Sequence, residues 1–332
     1  MAIKYAEAHQ SRSGPGDARP TAFQIVEDEG LVDKLSGSTI LLTGCSSGIG
    51  VSTSRALFQT GANLYLTARD INKARSVLGE ELIKSPNVHL LSLDLTSLAS
   101  VRACAAAFLS HESKLDIFIA NAGVMATPEG RTRDGFETQL QTNHLSHFLL
   151  FNLLKPALLS APSSRAIFVA SMSHRSAISP DFNNLNLDGC YDPWLAYSQS
   201  KLFEVWTANE IDRKYGARGL HAWSLNPGSI ATTGLGLHLS DEVKGALMGD
   251  EALMKTVKTE EQGAATTVWA ALASELDAKG IGGKFLEDCC IIGKWDGVTA
   301  WMSGYGELAY DEEGERKLWK ASAKMVGLED SV

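Results

Sequence analysis

The sequence predicts a doubly wound α/β fold, in which a mostly parallel seven-stranded sheet carries helices on both faces. Short runs rich in leucine and β-branched residues alternate with segments of helical periodicity, as in a parallel sheet that is covered on both sides. The first of these runs leads into a glycine-rich turn that opens a helix, which is typical of a βαβ unit. A chain of 332 residues can form such a sheet as one domain.

Each strand is predicted from a short apolar run that is bounded by turn residues. The predicted strands are Thr39–Thr43, Asn63–Thr67, Val88–Leu93, Leu115–Ala120, Arg165–Ala170, Leu220–Leu225 and Lys284–Leu286. Right-handed crossovers between them give one doubly wound sheet. The helices between the strands are predicted to start near Ile49, Ile71, Leu98, Asp134, Tyr197 and Glu260. The fourth of these helices is long and is expected to run to about Leu159.

Residues 1–35 are predicted to be an N-terminal extension that is partly disordered. The first twenty residues are polar and contain Ser, Gly, Pro and Arg, whereas Ala22–Leu35 has the pattern of a short amphipathic helix. Residues 36–332 are then expected to form a single domain. Its loops 172–196, 229–256 and 288–310 are expected to cover the substrate, because they follow the carboxyl ends of the fifth, sixth and seventh strands.

Composition excludes several classes of function. The net charge of −9 and the pI near 5.4 argue against binding of nucleic acid through a broad basic face. Five cysteines without paired C-x-x-C motifs argue against a disulfide framework and against structural zinc. No segment reaches the ~18 apolar residues of a membrane span. We therefore expect a cytoplasmic protein without a membrane anchor; a homodimer is compatible with the sequence, which does not fix the oligomeric state.

The turn after the first strand has the composition of a phosphate-binding loop. Its glycines let the backbone approach a pyrophosphate, and the N–H groups at the start of the following helix would meet the charge. A plain strand-to-helix turn is the alternative interpretation of this motif alone, and its position in a βαβ unit favours a Rossmann-type dinucleotide site. The residues predicted to bind the cofactor in this turn are Gly44, Ser46, Ser47, Gly48, Ile49 and Gly50.

The end of the second strand predicts which dinucleotide is bound. An acidic residue there would accept a hydrogen bond from a free ribose 2′-hydroxyl, whereas an arginine pairs with a 2′-phosphate. Arg69 stands at this position and therefore favours NADP(H); the alternative is that Arg69 only balances Asp70 on a solvated loop. Asp94 and Leu95 at the end of the third strand are predicted to contact the adenine, with a helix N-cap as the alternative for Asp94.

A phenol and an ammonium group lie four residues apart in Tyr197-Ser198-Gln199-Ser200-Lys201, hence on one face of a helix. A nearby cation favours the phenolate and brings a phenol into the range of acid–base catalysis. Alone, this pair is commonly a surface feature. The fifth strand, however, runs out into Ser171, which places a hydroxyl at the ligand-binding edge of the sheet.

With these residues in order, the sequence resembles the short-chain dehydrogenase/reductase family between about Ser36 and Leu286. The resembling pieces are Thr43-Gly44-x-x-x-Gly48-x-Gly50, Ala120-Asn121-Ala122-Gly123, Asn143, Ser171, Tyr197-x-x-x-Lys201 and Pro227-Gly228-x-x-x-Thr232. Two positions depart from the usual family pattern. Ala120-Asn121 stands in place of paired asparagines and Ala170-Ser171 in place of paired serines, and neither change removes a catalytic residue.

The resemblance implies a role for each of these residues. Tyr197 would exchange a proton with the substrate oxygen, and Ser171 would hydrogen-bond that oxygen. Lys201 would hold the nicotinamide ribose and lower the pKa of Tyr197, and Asn143 would order a water that passes protons onward from Lys201. Thr232 would bind the nicotinamide carboxamide. The remaining positions implied to contact the cofactor are Asn121, Ala122, Gly123, Pro227, Gly228 and Ile230.

Two further stretches indicate a branch of this family. Gln139-x-x-x-Asn143-His144-Leu145-x-His147-Phe148-Leu149-Leu150 resembles retinol dehydrogenases and WW-domain oxidoreductases. Gly283–Cys289 and Ala309-Tyr310-Asp311 are similar to fungal ketoreductases of secondary metabolism. A lipophilic ketone, aldehyde or alcohol is the implied substrate class. The membrane anchor common in retinol enzymes is not expected here, which argues against retinol itself as the substrate.

The sequence therefore predicts an NADP(H)-dependent oxidoreductase that moves a hydride between nicotinamide and a carbonyl or alcohol carbon. Two alternatives stay open, a redox-neutral or epimerising enzyme of the same family and a non-catalytic NADP-binding sensor. No metal is expected, because His144 and His147 lack a third ligand at suitable spacing. His174 is either a residue of the substrate pocket or a surface histidine.

Overall fold

The computed structural model describes residues 4–299 and 301–328. Its centre is a sheet of order β3-β2-β1-β4-β5-β6-β7-β8, in which the first seven strands are parallel and β8 pairs antiparallel to β7. The strands are β1 (Thr39–Thr43), β2 (Asn63–Ala68), β3 (Val88–Ser92), β4 (Ile117–Ala120), β5 (Ser164–Val169), β6 (Leu220–Asn226), β7 (Lys284–Glu287) and β8 (Cys290–Ile291).

Helices cover both faces of this sheet. They are α1 (Ala6–Gln10), α2 (Ala22–Asp28), α3 (Ile49–Phe58), α4 (Ile71–Leu78), α5 (Glu80–Lys84), α6 (Leu98–Leu109), α7 (Ser146–Ser160), α8 (Pro193–Tyr215), α9 (Asp241–Gly249), α10 (Glu251–Thr256), α11 (Glu260–Leu272), α12 (Ser274–Lys279) and α13 (Glu312–Met325). Within the described residues, no helix is both long and apolar enough to span a bilayer.

Successive residues of a strand point to opposite faces, so each strand feeds two cores. Ile40 and Leu42 pack with residues of α2, α3 and α11, whereas Leu41 packs with residues of α6, α7, α8 and α13. All of β1 is buried. The doubly wound, mostly parallel sheet with helices on both faces is confirmed, and burial on both faces explains the continuous apolar runs from which the strands were predicted.

The number of strands differs from the prediction. The seventh strand turns back into β8, which has only two residues and therefore carries no periodicity that a sequence pattern could reveal. The sharp reversal is made by Asp288 and Cys289, which both have positive φ angles of 54°.

Two predicted helix starts are also shifted. Near Asp134 the chain forms a tight turn closed by an Arg131–Glu137 bridge, and a π-helical turn at Leu140–Leu145 then leads into α7. The Glu137 carboxylate caps this turn by accepting hydrogen bonds from the backbone N–H groups of Gln139 and Leu140. Tyr197 lies in the second turn of α8, which begins at Pro193 behind the N-cap Asp192.

The N-terminal segment is packed on the domain, where we expected a partly disordered extension. The Arg19 guanidinium donates hydrogen bonds of 2.6 Å each to the carbonyl oxygens of Thr256 and Val257. His9 and Arg12 both contact the carboxylate of Asp288. Helix α2 ends at Asp28, not at Leu35, and buries Ile25 and Val26 in the core. Residues 1–3 of the predicted extension lie outside the described part.

Candidate active site

The predicted site residues gather at the carboxyl edge of the sheet, where β1, β4, β5 and β6 end. This edge is where ligands bind in open α/β sheets, because the crossover loops leave a crevice there. The glycine turn follows β1, Asn121–Gly123 follows β4, and Ser171 follows β5. Tyr197 and Lys201 reach the same place from α8.

The glycine turn needs its glycines for two different reasons. Gly44 and Gly48 have φ angles of +79° and +56°, a region that side chains rarely tolerate. A Cβ on Gly50 would lie 2.0 Å from the carbonyl oxygen of Gly44, so the turn closes only without a side chain there. Gly48 is the N-cap of α3 and has no side chain to satisfy the first N–H groups of the helix. These donors, with the half-buried Ser46 and the exposed Ser47, can hold an anion.

A network of hydrogen bonds joins the glycine turn to the end of β4. The Thr43 hydroxyl accepts hydrogen bonds from the backbone N–H groups of Asn121 and Ala122, at 2.9 and 3.0 Å. The Asn121 amide donates to the Thr43 carbonyl oxygen at 2.8 Å. Asn121 therefore helps to fix the shape of the turn.

Arg69 lies exposed at the end of β2, and within the described residues its side chain has no hydrogen bond or ion pair. The alternative interpretation, a pair with Asp70, is not what the structure shows, because the Asp70 carboxylate caps α4 by accepting a hydrogen bond from the Lys73 N–H at 2.9 Å. The Arg69 guanidinium is therefore available to a ligand at this corner of the site.

Asp94 is not a helix N-cap, since that position in α6 belongs to Ser97. One carboxylate oxygen of Asp94 accepts hydrogen bonds from the N–H and the hydroxyl of Thr96, at 3.0 and 2.7 Å. Leu95 is buried, and its carbonyl oxygen accepts a hydrogen bond from Ser146. Both residues lie at the end of β3, on the same edge as Arg69.

Asn143 lies in the π-helical turn before α7 and is fully buried. Its side chain forms a closed pair with the Val124 backbone, accepting from the N–H at 2.9 Å and donating to the carbonyl oxygen at 3.0 Å. It also donates to the Ser200 hydroxyl on α8 at 2.9 Å. A Cβ on Gly123 would lie 3.2 Å from the Asn143 amide oxygen and 3.4 Å from Lys201 Nζ, so these three residues converge.

Tyr197, Ser171 and Lys201 form the centre of the site. Tyr197 is buried, the Ser171 side chain lies beside its hydroxyl, and Lys201 Nζ lies 5.8 Å from the centroid of its ring. Burial raises the pKa of Tyr197, and the Lys201 charge and the Ser171 hydroxyl lower it. The net direction is upward, so the lowering expected from Lys201 is present but is smaller than the effect of burial.

Lys201 has a second partner that the sequence analysis did not consider. Its ammonium group donates to the Val169 carbonyl oxygen at 2.8 Å and to the Glu204 carboxylate at 2.9 Å. Burial raises the pKa of Glu204 to about 7, and the Glu204 charge raises the pKa of Tyr197. Glu204 follows Lys201 by three residues and Tyr197 by seven, so helical spacing could have revealed it on the same face.

His174 is neither a surface histidine nor a free residue of the pocket. The Gly306 N–H donates to its Nε2 at 2.9 Å, so its Nδ1 carries the proton and donates to the Ser171 carbonyl oxygen at 2.6 Å. Burial lowers the pKa of His174 to about 4, which keeps the ring neutral. His174 therefore anchors the backbone of Ser171 to the loop that follows β8.

The loop after β6 is supported by Lys258, another residue that the sequence analysis missed. Lys258 Nζ lies 3.2 Å from the Pro227 carbonyl oxygen, and the backbone N–H of Lys258 donates to the Ser229 carbonyl oxygen. Gly228, with a φ of +93°, leaves room for the Lys258 side chain. Ile230 packs on Gly263 of α11.

Thr232 is exposed, and its hydroxyl donates to the Glu260 carboxylate at 3.1 Å. Its neighbour Thr233 is the residue that packs against Gly48 of the glycine turn, at 3.0 Å from where a Cβ would stand. A cavity of about 410 Å³ adjoins Thr232 and is also lined by Pro15, Ala231 and residues 257–261. Tyr197 is not among the residues that line this cavity.

The three loops expected to cover the substrate expose apolar side chains. Leu237 and Met248 lie on the segment 229–256, here called the lid, and are 75% and 68% exposed. Trp194 and Met302, from the other two loops, are also exposed. Tyr191, in the first of these loops, is held by hydrogen bonds to Thr127 and Gln139. The lid is joined to the third loop by a hydrogen bond from Trp301 to Asp250.

No group of three or more histidine, cysteine or acidic side chains that could hold a metal ion occurs in residues 4–299 and 301–328. His144 and His147 instead have hydroxyl partners, since their Nε2 atoms lie 2.7 Å from Ser322 Oγ and 2.9 Å from Thr43 Oγ1.

Comparison with known proteins gives a family match over most of the sheet. The family model described as short chain dehydrogenase matches residues 38–242. The chain is 44% identical over 331 residues to the short-chain dehydrogenase/reductase prx1 of Penicillium roqueforti, covering 98% of this chain and 96% of that protein. It is 36% identical over 304 residues to human retinol dehydrogenase 13, covering 89% and 86% of the two chains.

Two solved structures share the fold. An uncharacterized protein from Mycobacterium paratuberculosis superposes with a TM-score of 0.69 at 29% identity, covering 95% of this chain and all of that one. The RhlG/NADP active-site complex of Pseudomonas aeruginosa superposes with a TM-score of 0.61 at 22% identity, covering 77% of this chain and 96% of that one.

Proposed function

Because the chain belongs to the short chain dehydrogenase family, we propose that it is an NADP(H)-dependent oxidoreductase that transfers a hydride between nicotinamide and a carbonyl or alcohol carbon of a lipophilic small molecule. The oxidoreductase family is established by the family match and the relatives, and membership of this family supports a nicotinamide cofactor. The choice of NADP(H), the role of Tyr197 and the substrate class are the proposal.

The observation that carries it is the convergence of Tyr197, Ser171 and Lys201 at one sheet edge beside the glycine turn. A phenol with a partner hydroxyl and a fixed cation is suited to exchanging a proton with an oxygen whose charge changes during reaction. The donors in the glycine turn and at Arg69 fit the phosphates of a dinucleotide, and the open guanidinium of Arg69 suits a 2′-phosphate.

Each residue then has a defined task. In the reducing direction Tyr197 donates its phenolic proton to the substrate oxygen, and Ser171 donates a hydrogen bond that stabilises the negative charge developing there. Lys201 stabilises the phenolate that remains and would hold the ribose hydroxyls. Asn143 holds Val124 and Ser200 in place beside Lys201. The bound cofactor supplies or accepts the hydride.

A lipophilic substrate is favoured by the apolar side chains on the loops around this centre. Leu237, Met248 and Met302 would lose exposed apolar surface if they closed over an apolar molecule. One relative is named a retinol dehydrogenase, after a lipophilic alcohol, and another is a fungal enzyme.

The test uses NADPH that carries deuterium at the transferable position of C4 and a panel of apolar ketones and aldehydes. We expect the label on the reduced product and consumption of NADPH in equal amount. Product without label and without net consumption of NADPH would indicate a redox-neutral enzyme. Tight binding of NADPH with no turnover of any substrate in either direction would indicate a sensor.

A further inference from the structure

The ion pair between Lys201 and Glu204 is buried to an unusual degree for charged groups. Both side chains are less than 5% exposed, and Nζ lies 2.9 Å from Oε2. The other carboxylate oxygen, Oε1, is buried and has no hydrogen-bond partner within the described residues. Such a carboxylate is costly to desolvate, and its single strong contact is the ammonium group of Lys201.

Two of the three N–H groups of the Lys201 ammonium have partners in the structure. One is directed to the Val169 carbonyl oxygen at 2.8 Å and one to Glu204. Gly123 lies beside the ammonium group without a side chain in the way, since a Cβ there would be 3.4 Å from Nζ. One N–H therefore stays available for a ligand, and Val169 and Glu204 determine where it points.

A lysine in such a site would tend to lose its proton. Removal of an ammonium group from water strongly favours the neutral amine, unless an opposite charge is close. The Val169 carbonyl is a neutral acceptor, whereas Glu204 provides the opposite charge. Burial lowers the pKa of Lys201, and the Glu204 carboxylate, together with a smaller contribution from Tyr197, more than offsets this, so that the pKa of Lys201 is raised above its ordinary value.

We propose that Glu204 is a positioning residue for the reaction at Tyr197, because it keeps Lys201 protonated and fixes the direction of its ammonium group. This inference rests on the proposed function, in which Lys201 must be charged to stabilise the Tyr197 phenolate. Among the residues that the structure describes, two titratable groups face the pair, namely Tyr197 from one turn earlier on α8 and His147 from α7. Burial, with a smaller contribution from the Lys201 charge, lowers the pKa of His147 to about 4, so His147 stays neutral and supplies no competing cation.

The direct test measures the protonation of Lys201. Lysine labelled with ¹³C at Cε reports the ammonium state by NMR, and Lys201→Arg assigns the signal. In the full-length protein we expect Lys201 to stay protonated between about pH 6 and 9. In Glu204→Gln its midpoint should fall by at least about one pH unit, and in Glu204→Asp by less. An unchanged midpoint in Glu204→Gln would overturn the proposal.

Turnover gives a second reading. Glu204→Gln should lose kcat progressively as the pH rises toward the lowered midpoint of Lys201, by roughly tenfold once the pH exceeds that midpoint by one unit, and recover it at lower pH, where Lys201 is again protonated. Glu204→Asp keeps the carboxylate and should therefore retain part of the kcat that Glu204→Gln loses. It is also the variant to measure if Glu204→Gln does not fold. Glu210→Gln is the matched control, since Glu210 is a buried carboxylate on the same helix that pairs with Arg213 and Lys214. A loss of kcat in Glu204→Gln that is the same at all pH values would show a structural role only.

The NMR reading needs no substrate. If Lys201 responds as expected but the wild-type protein turns over no substrate, the proposed function fails and the role of Glu204 in holding the charge of Lys201 stands. If the wild type turns over and Lys201 does not respond, only the inference about Glu204 fails.

Discussion

The Thr43 hydroxyl lies 2.9 Å from Nε2 of His147 and joins the glycine turn to the helix that follows Asn143. Because this hydroxyl already accepts two backbone N–H groups, it donates its own proton to His147. The Nδ1–H of His147 then donates to the Asn143 carbonyl oxygen at 2.8 Å. Burial lowers the pKa of His147 to about 4, so the ring stays neutral and can accept. One chain of hydrogen bonds thus links three of the segments that form the site.

Replacing Thr43 by Val keeps the shape of the side chain but removes the hydroxyl. The N–H groups of Asn121 and Ala122 would then be left without their acceptor, and we expect the free energy of unfolding to fall by about 1–3 kcal/mol. Urea denaturation measures this change. Thr43→Ser retains the hydroxyl and is the control; if both variants lose the same stability, the hydrogen bonds are not the cause.

Arg69→Ala should weaken binding of NADP(H) by about 1.5–3 kcal/mol, the contribution of a hydrogen bond to a charged group, and leave NAD(H) almost unaffected. Calorimetric titration of both cofactors measures the difference. Arg75→Ala removes an exposed arginine from the last turn of the neighbouring α4 and should change neither affinity. Equal or tighter binding of NAD(H) by the wild-type protein would contradict the assignment.

The sheet could be predicted from sequence because burial on both faces makes the central strands, such as β1, β4 and β5, continuous apolar runs. The start of α7 could not, since the Glu137 carboxylate and a π-helical turn, not periodicity, determine where helical structure begins. The packed N-terminal segment was missed for a related reason. In the sequence Arg19 has the pattern of a solvated residue. It is buried because its guanidinium binds the carbonyl oxygens of Thr256 and Val257, which lie far along the chain.

The sequence motifs indicated the residues of the site but not the hydrogen bonds and ion pairs that hold these residues in place. Tyr197, Ser171, Lys201 and Asn143 lie together at one edge of the sheet, whereas the residues that support them lie outside the motifs. Glu204 and His174 act through Lys201 and Ser171, and contacts of this kind depend on how α8 and the loop after β8 pack.

The lid is expected to be the most mobile part of the site in the protein without ligand. Helix α9 (Asp241–Gly249) contains no buried residue, and the lid includes four glycines, Gly234, Gly236, Gly245 and Gly249. Hydrogen exchange measured by mass spectrometry should show rapid exchange over 234–249, with protection when cofactor and substrate are bound. Protection equal to that of β1 in the ligand-free protein would contradict this prediction.

Buried histidines should make the fold sensitive to acid. Burial lowers the pKa of His144 to about 3, and the pKa values of His147 and His174 to about 4. A histidine whose pKa is lowered by folding contributes stability above its unfolded pKa of about 6.5, and this contribution is lost as the pH falls toward the folded value. Glu204 and Glu287, whose pKa values are raised to about 7, act in the opposite direction over part of this range.

A pair of variants isolates the effect of His144. In His144→Phe with Ser322→Ala, both partners of the 2.7 Å hydrogen bond are replaced, and Ser322→Ala alone is the reference. Between about pH 4 and 5.5 the free energy of unfolding should fall less steeply in the double variant, by about 1.4 kcal/mol per pH unit, because one proton fewer is bound on unfolding. Parallel curves would show that His144 does not titrate on unfolding.

Tyr197→Phe tests the proposed acid–base residue with little change in packing. The ring stays buried against Trp194, with the ring centroids 6.5 Å apart, and only the hydroxyl that contacts Ser171 is lost. We expect binding of NADPH to be retained and turnover to fall by ~10²-fold or more, because the proton donor is missing. Lys201→Ala should impair both binding and turnover, since Lys201 is proposed to hold the ribose as well as to stabilise the phenolate. Steady-state kinetics with an apolar ketone, together with calorimetric titration of NADPH, separates the two effects. If Tyr197→Phe reduces the ketone at nearly the wild-type rate, Tyr197 is not the proton donor, and Ser171 is the next hydroxyl within reach of the substrate oxygen.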